Sequence, residues 1–230
     1  MARFEHSTEE TSMTYEAIRN DQEIQTYIRQ ADESLLSLGY TEHSFPHVTR
    51  VAEGAGEILS SLGFDEHTVL LAKIAGYLHD IGNLVNRVEH SQSGAVMAFR
   101  LLDKRGFAAE DIALITTAIG NHDEGTGLPV NPLAAALILA DKSDVRRSRV
   151  RNTELSSFDI HDRVNYSVTS SELSVKRESS QIHLSLKIDT SISSVMDYFE
   201  IFLERMILCR KAAERLGLQF KLFINDQPLM

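Results

Sequence analysis

One cysteine, four prolines and no tryptophan occur among 230 residues. The lone Cys209 excludes an internal disulfide and fits a reducing compartment; its place in an amphipathic stretch reads as a buried thiol. Few prolines, with 43% hydrophobic and 24% charged residues and no repeat or low-complexity tract, exclude an extensively disordered chain. No uninterrupted apolar run approaches the ~20 residues that span a bilayer, and the start "MARFEHSTEE" lacks a secretory apolar core. The expected location is therefore the cytoplasm, with no membrane partner. Basic residues are also in deficit: 23 Lys and Arg against 33 Asp and Glu give a net charge of −10. That balance opposes binding to nucleic acid, which relies on surplus cations to displace counterions. A small phosphate ester remains compatible, because metal ions can supply the positive charge.

Most of what is present follows a helical period. Residues 1 to 12 are polar and aperiodic and are expected to fray. From Thr14 to Leu38, Ile18, Ile24, Ile28, Ala31 and Leu35 recur at helical spacing, predicting one or two amphipathic helices that end near Gly39. A helix from about Pro46 to Gly63 carries His47 in its first turn. The run from Val69 to Leu78 is apolar on nearly every face, as in a helix at the centre of an all-α core, and its last turn carries His79 and Asp80. Ser91 reads as the N-cap of a helix that stops at Gly106, with His90 just before it. A further helix ends near Gly120, ahead of His122 and Asp123. The stretch "DEGTGLPVNP" is a loop, in which the glycines of "GTG" suit a plain turn or a close backbone approach to phosphate. Helix then resumes through "LAAALILADKSDVRR" to about Arg147, with Asp141 closing the apolar run.

Past Asn152 the period changes to two. "NYSVTSSELSVKRE" and "SQIHLSLKIDT" predict two strands, a long helix runs from Ser191 to Leu216, and "QFKLFIN" predicts a third strand. The expected fold is mainly α: a helical domain over 1–150 and a small C-terminal α+β lobe over 151–230 that serves interaction or dimerisation. Aromatic residues of the long helix follow core spacing, which assigns them to packing or a homodimer interface.

The chemistry-bearing residues are His47, the His79-Asp80 doublet, His90, His122 and Asp141, each near a helix end or on an otherwise apolar helix. Imidazole and carboxylate together suit Mn, Fe, Zn, Ni or Mg, with Mn or Fe favoured. Neighbouring helix positions point about 100° apart, so the doublet reaches one ion only if the ion lies between its two directions. An ionised Asp80 in apolar surroundings needs a positive partner, and no Lys or Arg lies within four residues of the doublet. Asp144 is an alternative ligand to Asp141, and His43 a competitor to His47. His6, His43, His67, His161 and His183 otherwise read as surface residues.

These residues and their flanks, "HVTRVAEGA", "LLAKIAGYLHDIGN", "HSQSGA", "IGNHDEGTGLP" and "ILADKSD", resemble the HD superfamily of metal-dependent phosphohydrolases. The resemblance implies a helical bundle in which His47, His79, Asp80 and Asp141 hold one divalent metal, Asp80 bridges to a second, and His90 and His122 complete that second site. "HDEGTGLP" also resembles the "HHExxDGxGYP" stretch of the HD-GYP branch. It departs from it in being shorter, with Asp123 in place of a second His and Asn83 where a Lys is common.

The implied activity is hydrolysis of a phosphate ester or anhydride of a nucleotide or related small metabolite, by water activated on one or two metal ions. The catalytic candidates are Asp80, Asp123 and Lys142, and the substrate-binding candidates are Lys142, Arg146 and Arg147, from the basic run after Asp141. The alternative is a catalytically silent module that binds metal or nucleotide for regulation.

Overall fold

A computed structural model describes residues 14–152 and 158–229. The expected fraying of 1–12, and His6, lie outside the described residues. Among these residues the chain forms nine α-helices and one four-stranded sheet.

Two short-range signals start the fold. Thr14 caps α1 (Tyr15–Arg19) and Asp21 caps α2 (Gln22–Ser37), each side chain accepting a free N–H of the first turn. α2 buries Ile24, Ile28, Ala31 and Leu35, one face at three- and four-residue spacing. α3 (Phe45–Leu62) has Pro46 in its first turn and stops at Gly63, whose φ of 85° lies in the left-handed region. α4 (Glu66–Leu78), capped by Asp65, buries Leu71, Ala72 and every residue from Ile74 to Leu78. It packs against α3, against α6 (Ala109–Gly120) and against α7 (Pro132–Lys142). α5 (His90–Lys104) pairs with α6 and with the short 3-10 turn Ile81–Leu84 that follows α4. α7 is buried from Leu133 through Lys142.

Three boundaries differ from the sequence expectation. α7 ends at Lys142, short of Arg147: the chain leaves the helix, Asp144 turns inward to His47, and Arg147–Arg149 forms a separate 3-10 turn. The pull of a buried imidazole on a carboxylate outweighs continued helix propensity there. α5 begins at His90, after Glu89 with a φ of 57°, so Ser91 is a buried residue inside the first turn and not its cap. Finally, Asn165–Ser167, expected as strand, closes α8 (Ile160–Ser167), which Asp159 caps. Ile160 and Val164 share a helical face while Val164, Tyr166 and Val168 alternate, so the local pattern fitted both periods.

β1 (Val168–Lys176) pairs antiparallel with β2 (Gln181–Ile188). α9 (Val195–Arg215) then crosses over to β3 (Gln219–Ile224), which lies parallel to β2. The hairpin to β4 (Gln227–Pro228) turns on Asn225 and Asp226, both at positive φ, as a tight two-residue turn requires. β2 buries Ile182, Leu184, Leu186 and Ile188 on the face α9 covers. α9 also packs on α7, so one apolar cluster runs from the helices into the sheet. No described helix is long and apolar enough to cross a membrane.

Candidate metal centre

Helix ends assemble the site. His47 comes from the first turn of α3, His79 is the C-cap of α4, and Asp80 leads into the 3-10 turn. His90 opens α5, His122 follows α6, and Asp141 lies in the last turn of α7. All six are buried. Two glycines allow this convergence: a Cβ on Gly82 would stand 1.9 Å from the His90 carbonyl oxygen, and one on Gly94 would stand 3.1 Å from that of His79. Backbone contact between the turn and α5 is what brings the doublet to His90.

His47 Nε2 lies 3.3 Å from His79 Nε2, 3.4 Å from Asp80 Oδ2 and 3.4 Å from Asp141 Oδ1. His79 Nε2 is 3.1 Å from Asp80 Oδ2 and 3.7 Å from Asp141 Oδ1. Around an ion with bonds of about 2.1 Å, neighbouring donors stand about 3.0 to 3.4 Å apart in octahedral or tetrahedral arrangement. Four of the five distances fall in that range, and His79 to Asp141, at 3.7 Å, lies just beyond it. On the other side, Asp80 Oδ1 is 3.4 Å from His90 Nε2, which is 3.2 Å from His122 Nε2. His79, Asp80 and His122 also form a set able to hold an ion. The Asp80 carboxylate thus turns one oxygen to the His47 and His79 side and the other to the His90 side.

The far nitrogen of each ring explains the orientation. His47 Nδ1 donates to Asp144 Oδ2 at 2.8 Å, His79 Nδ1 to the Gly76 carbonyl at 2.8 Å, His90 Nδ1 to that of Arg87 at 3.1 Å, and His122 Nδ1 to that of Ile119 at 2.6 Å. Each acceptor places the proton on Nδ1 and leaves a lone pair on Nε2. Lone pairs then face one another at 3.3 Å for His47 and His79 and at 3.2 Å for His90 and His122, an arrangement that calls for a cation between them.

The electrostatics make the same demand. Burial pushes the Asp80 and Asp141 carboxyls up, yet both are held well below their ordinary range, Asp80 by His79 and His47 and Asp141 by Lys142 and the same two histidines. Burial lowers His79, but Asp80 and Asp141 outweigh it and raise the ring to about 10. His122 is driven well down by burial, then by His79 and Lys142, and His90 is lowered chiefly by burial. Protonation of His79, and of His47, which burial lowers but Asp141, Asp144 and Asp80 together raise, answers part of the demand for positive charge. A divalent ion would satisfy both carboxylates and keep every imidazole neutral.

A cavity of about 430 Å³ opens over Asp80, His90, His122 and Asp141. Lys142 lines it, with Nζ 2.8 Å from Asp141 Oδ2 and 3.1 Å from Glu124 Oε2. Asp123, expected to be catalytic, does not line it; its carboxylate stands 4.0 Å from His90 Nε2 and is raised by burial. Arg146 and Arg147, expected to bind substrate, do not line it. Arg146 pairs with Asp144, and Arg147 donates to the Tyr166 carbonyl and stacks on that ring. The helix carrying them had already ended, so helical spacing did not govern where they point. Asp144 is not a ligand alternative to Asp141: it is fully buried behind His47, bonded through Oδ2 to Nδ1 and paired with Arg146.

His43, read as a surface residue, is half-buried, lines the cavity and meets the His47 ring edge-on. His161 is exposed at the cavity rim, His67 is exposed beside Asp111, and His183 is half-buried against Phe223. Sequence reasoning missed Arg87, Glu124 and Arg205, gave Asn83 no role at the site, and placed Arg149 only in the basic run after Asp141. Asn83 Nδ2 donates to Asp80 Oδ1 at 3.0 Å, and Arg205 of α9 reaches Glu124 Oε1 at 2.8 Å. Asn83 and Glu124 stand inside the recognised motifs and were within reach. Arg205 sits on the flank of a core-spaced helix and carries no sequence signal.

Residues 45–146 match the family model for the HD domain. Uncharacterized protein MJ1020 of Methanocaldococcus jannaschii is 27% identical over 173 residues, 65% of this chain and 66% of the relative, just under two thirds of its length. A crystal structure of a predicted HD superfamily hydrolase from an uncultured Thermotogales bacterium is 30% identical, with a TM-score of 0.45 over 56% of this chain and 69% of that one. Because the segment matched by the family model supplies His47, His79, Asp80, His90, His122 and Asp141, residues 45–146 form an HD domain and the chain belongs to the HD-domain superfamily.

Proposed function

We propose that the protein is a divalent-metal-dependent phosphohydrolase that cleaves a phosphate ester or anhydride of a small metabolite, most simply a nucleotide. One observation carries the reading: the two oxygens of a single buried carboxylate, Asp80, face two separate groups of imidazoles beneath a cavity of about 430 Å³. That volume suits a small ligand, and the net charge of −10 weighs against a nucleic-acid substrate. When bound, divalent ions lower the pKa of water toward neutrality and neutralise charge on phosphoryl oxygens.

The chain's own residues then have distinct tasks. Asp80 joins the two halves of the centre, held by Asn83. His47, His79 and Asp141 supply one half, with Asp144 fixing the His47 ring; His90 and His122 supply the other. Asp123, 4.0 Å from His90 Nε2 and kept easier to protonate by burial, orients water beside that half of the centre. Lys142 balances Asp141 and Glu124, so its substrate role is to keep this wall of the cavity neutral and not to offer a free cation.

The test is metal analysis of the purified protein together with a panel of phosphorylated nucleotides and sugars assayed with Mn. Bound divalent metal and turnover that stops on chelation and returns with Mn are expected. A fully loaded protein that turns over nothing on the panel would point to the silent regulatory module instead.

A further inference from the structure

Four cations line the cavity: Arg87, Lys142, Arg149 and Arg205. Three are already committed. Lys142 bonds Asp141 and Glu124, and Arg205 bonds Glu124. Arg149 donates to the carbonyls of Asp144 and Glu42 at 2.7 and 2.8 Å. Arg87 differs: its partners among the described residues are the Asn83 side-chain oxygen at 3.4 Å, His90 Nε2 at 3.3 Å and the face of Tyr40, with the guanidinium carbon 5.7 Å from the ring centre. None of them is a carboxylate. A guanidinium has five donors in a planar fork, and both directional contacts here use Nη1 alone.

The contact with His90 is also one the site cannot keep. That Nε2 lone pair faces Asp80 Oδ1 and His122 Nε2 as well, and it is the atom through which His90 would hold a cation. Once the lone pair is engaged, Arg87 retains one long bond to Asn83 and stands beside added positive charge. A half-buried cation in that position needs an anion.

We propose that Arg87 is the substrate-anchoring residue of this site, receiving a phosphoryl group with at least two free oxygens at the His90 end of the cavity. This rests on the phosphohydrolase reading and sharpens it. The ligand class is a phosphoryl group, terminal or diester, because either offers two free oxygens that a fork binds side by side.

Inorganic phosphate is the probe, titrated by calorimetry into the Mn-loaded wild-type protein and into Arg87→Met and Arg87→Lys, with Mn affinity and thermal melting measured on all three. Phosphate affinity should fall about tenfold or more in Arg87→Met, the loss expected of a charge-assisted hydrogen bond. It should recover only partly in Arg87→Lys, which keeps the charge but not the fork, while Mn affinity stays within about threefold of wild type in both. Equal phosphate affinity in wild type and Arg87→Met overturns the assignment and leaves the metal centre standing. Loss of Mn from Arg87→Met and Arg87→Lys alike also overturns it, by showing that Arg87 only supports His90. A wild-type protein that takes up no Mn removes the phosphohydrolase reading and this assignment with it.

Discussion

Between residues 45 and 146 the buried set includes His47, His79, His90, His122, Asp80, Asp141 and Asp144, whereas the inward face of β2 is wholly aliphatic, Ile182, Leu184, Leu186 and Ile188. In the sheet, burial is favourable by itself, roughly 1.5–3 kcal/mol for each large aliphatic side chain. In the helical part the same burial is costly for each ionisable group unless a partner meets it. Each of the four buried imidazoles there has one nitrogen on a carbonyl or carboxylate and the other turned to the common centre. The two regions meet where α9 packs on α7 and Arg205 reaches Glu124. The imidazoles and carboxylates of the centre thus lie in the HD segment, while the residues after it supply an apolar backing and, at the cavity, Arg149, Asp159, His161, Asp162, Asn165 and Arg205.

The comparison breaks most severely at Asp80. Asp80→Ala removes the group common to both halves of the centre, and Mn affinity by calorimetry should drop more than about 100-fold, beyond the cost of losing an orienting partner. Affinity near the wild-type value would show that the two halves do not share that carboxylate. Gly82→Ala leaves every ligand in place but sets a Cβ 1.9 Å from the His90 carbonyl. It should destabilise the fold by about 1–3 kcal/mol or more in urea denaturation and weaken Mn binding, because the turn carrying Asp80 must move away from α5.

Asp144→Asn tests orientation without touching a ligand atom. Mn affinity is expected to fall about 10- to 100-fold, with the fold retained in far-UV circular dichroism. An unchanged affinity would mean that α3 packing alone sets the His47 ring.

Smaller effects belong to the junction. Arg205→Met leaves Glu124 with Lys142 only and should cost about 1–3 kcal/mol of stability, with Mn affinity altered less than about threefold. The same junction gives a pH signature. Burial would raise the Glu124 carboxyl, but Lys142 and Arg205 outweigh it and hold it far below the usual 4.5. A depressed folded-state value means that the stabilisation is complete above about pH 4.5 and fades as pH falls further. The stability difference between wild type and Glu124→Gln should therefore shrink in acid, and a constant difference down to pH 3 would show that the pairing contributes nothing.

The helical class, the central apolar helix, the period-two strands and the set of His and Asp residues were all legible in the order of residues, because periodicity and ligand chemistry are local properties. The stopping point of α7 was not, since a carboxylate 97 positions away from its imidazole partner decided it. Nor were the roles of Arg146 and Arg147, which follow from where that helix ends. Arg205, 81 residues beyond Glu124, enters the site only because α9 packs on α7. Sequence by itself determined which groups this protein has available for holding a cation. Only the tertiary structure decided which of its charges are already neutralised by one another and which still face the cavity, because pairing depends on distances between segments that chain order does not encode.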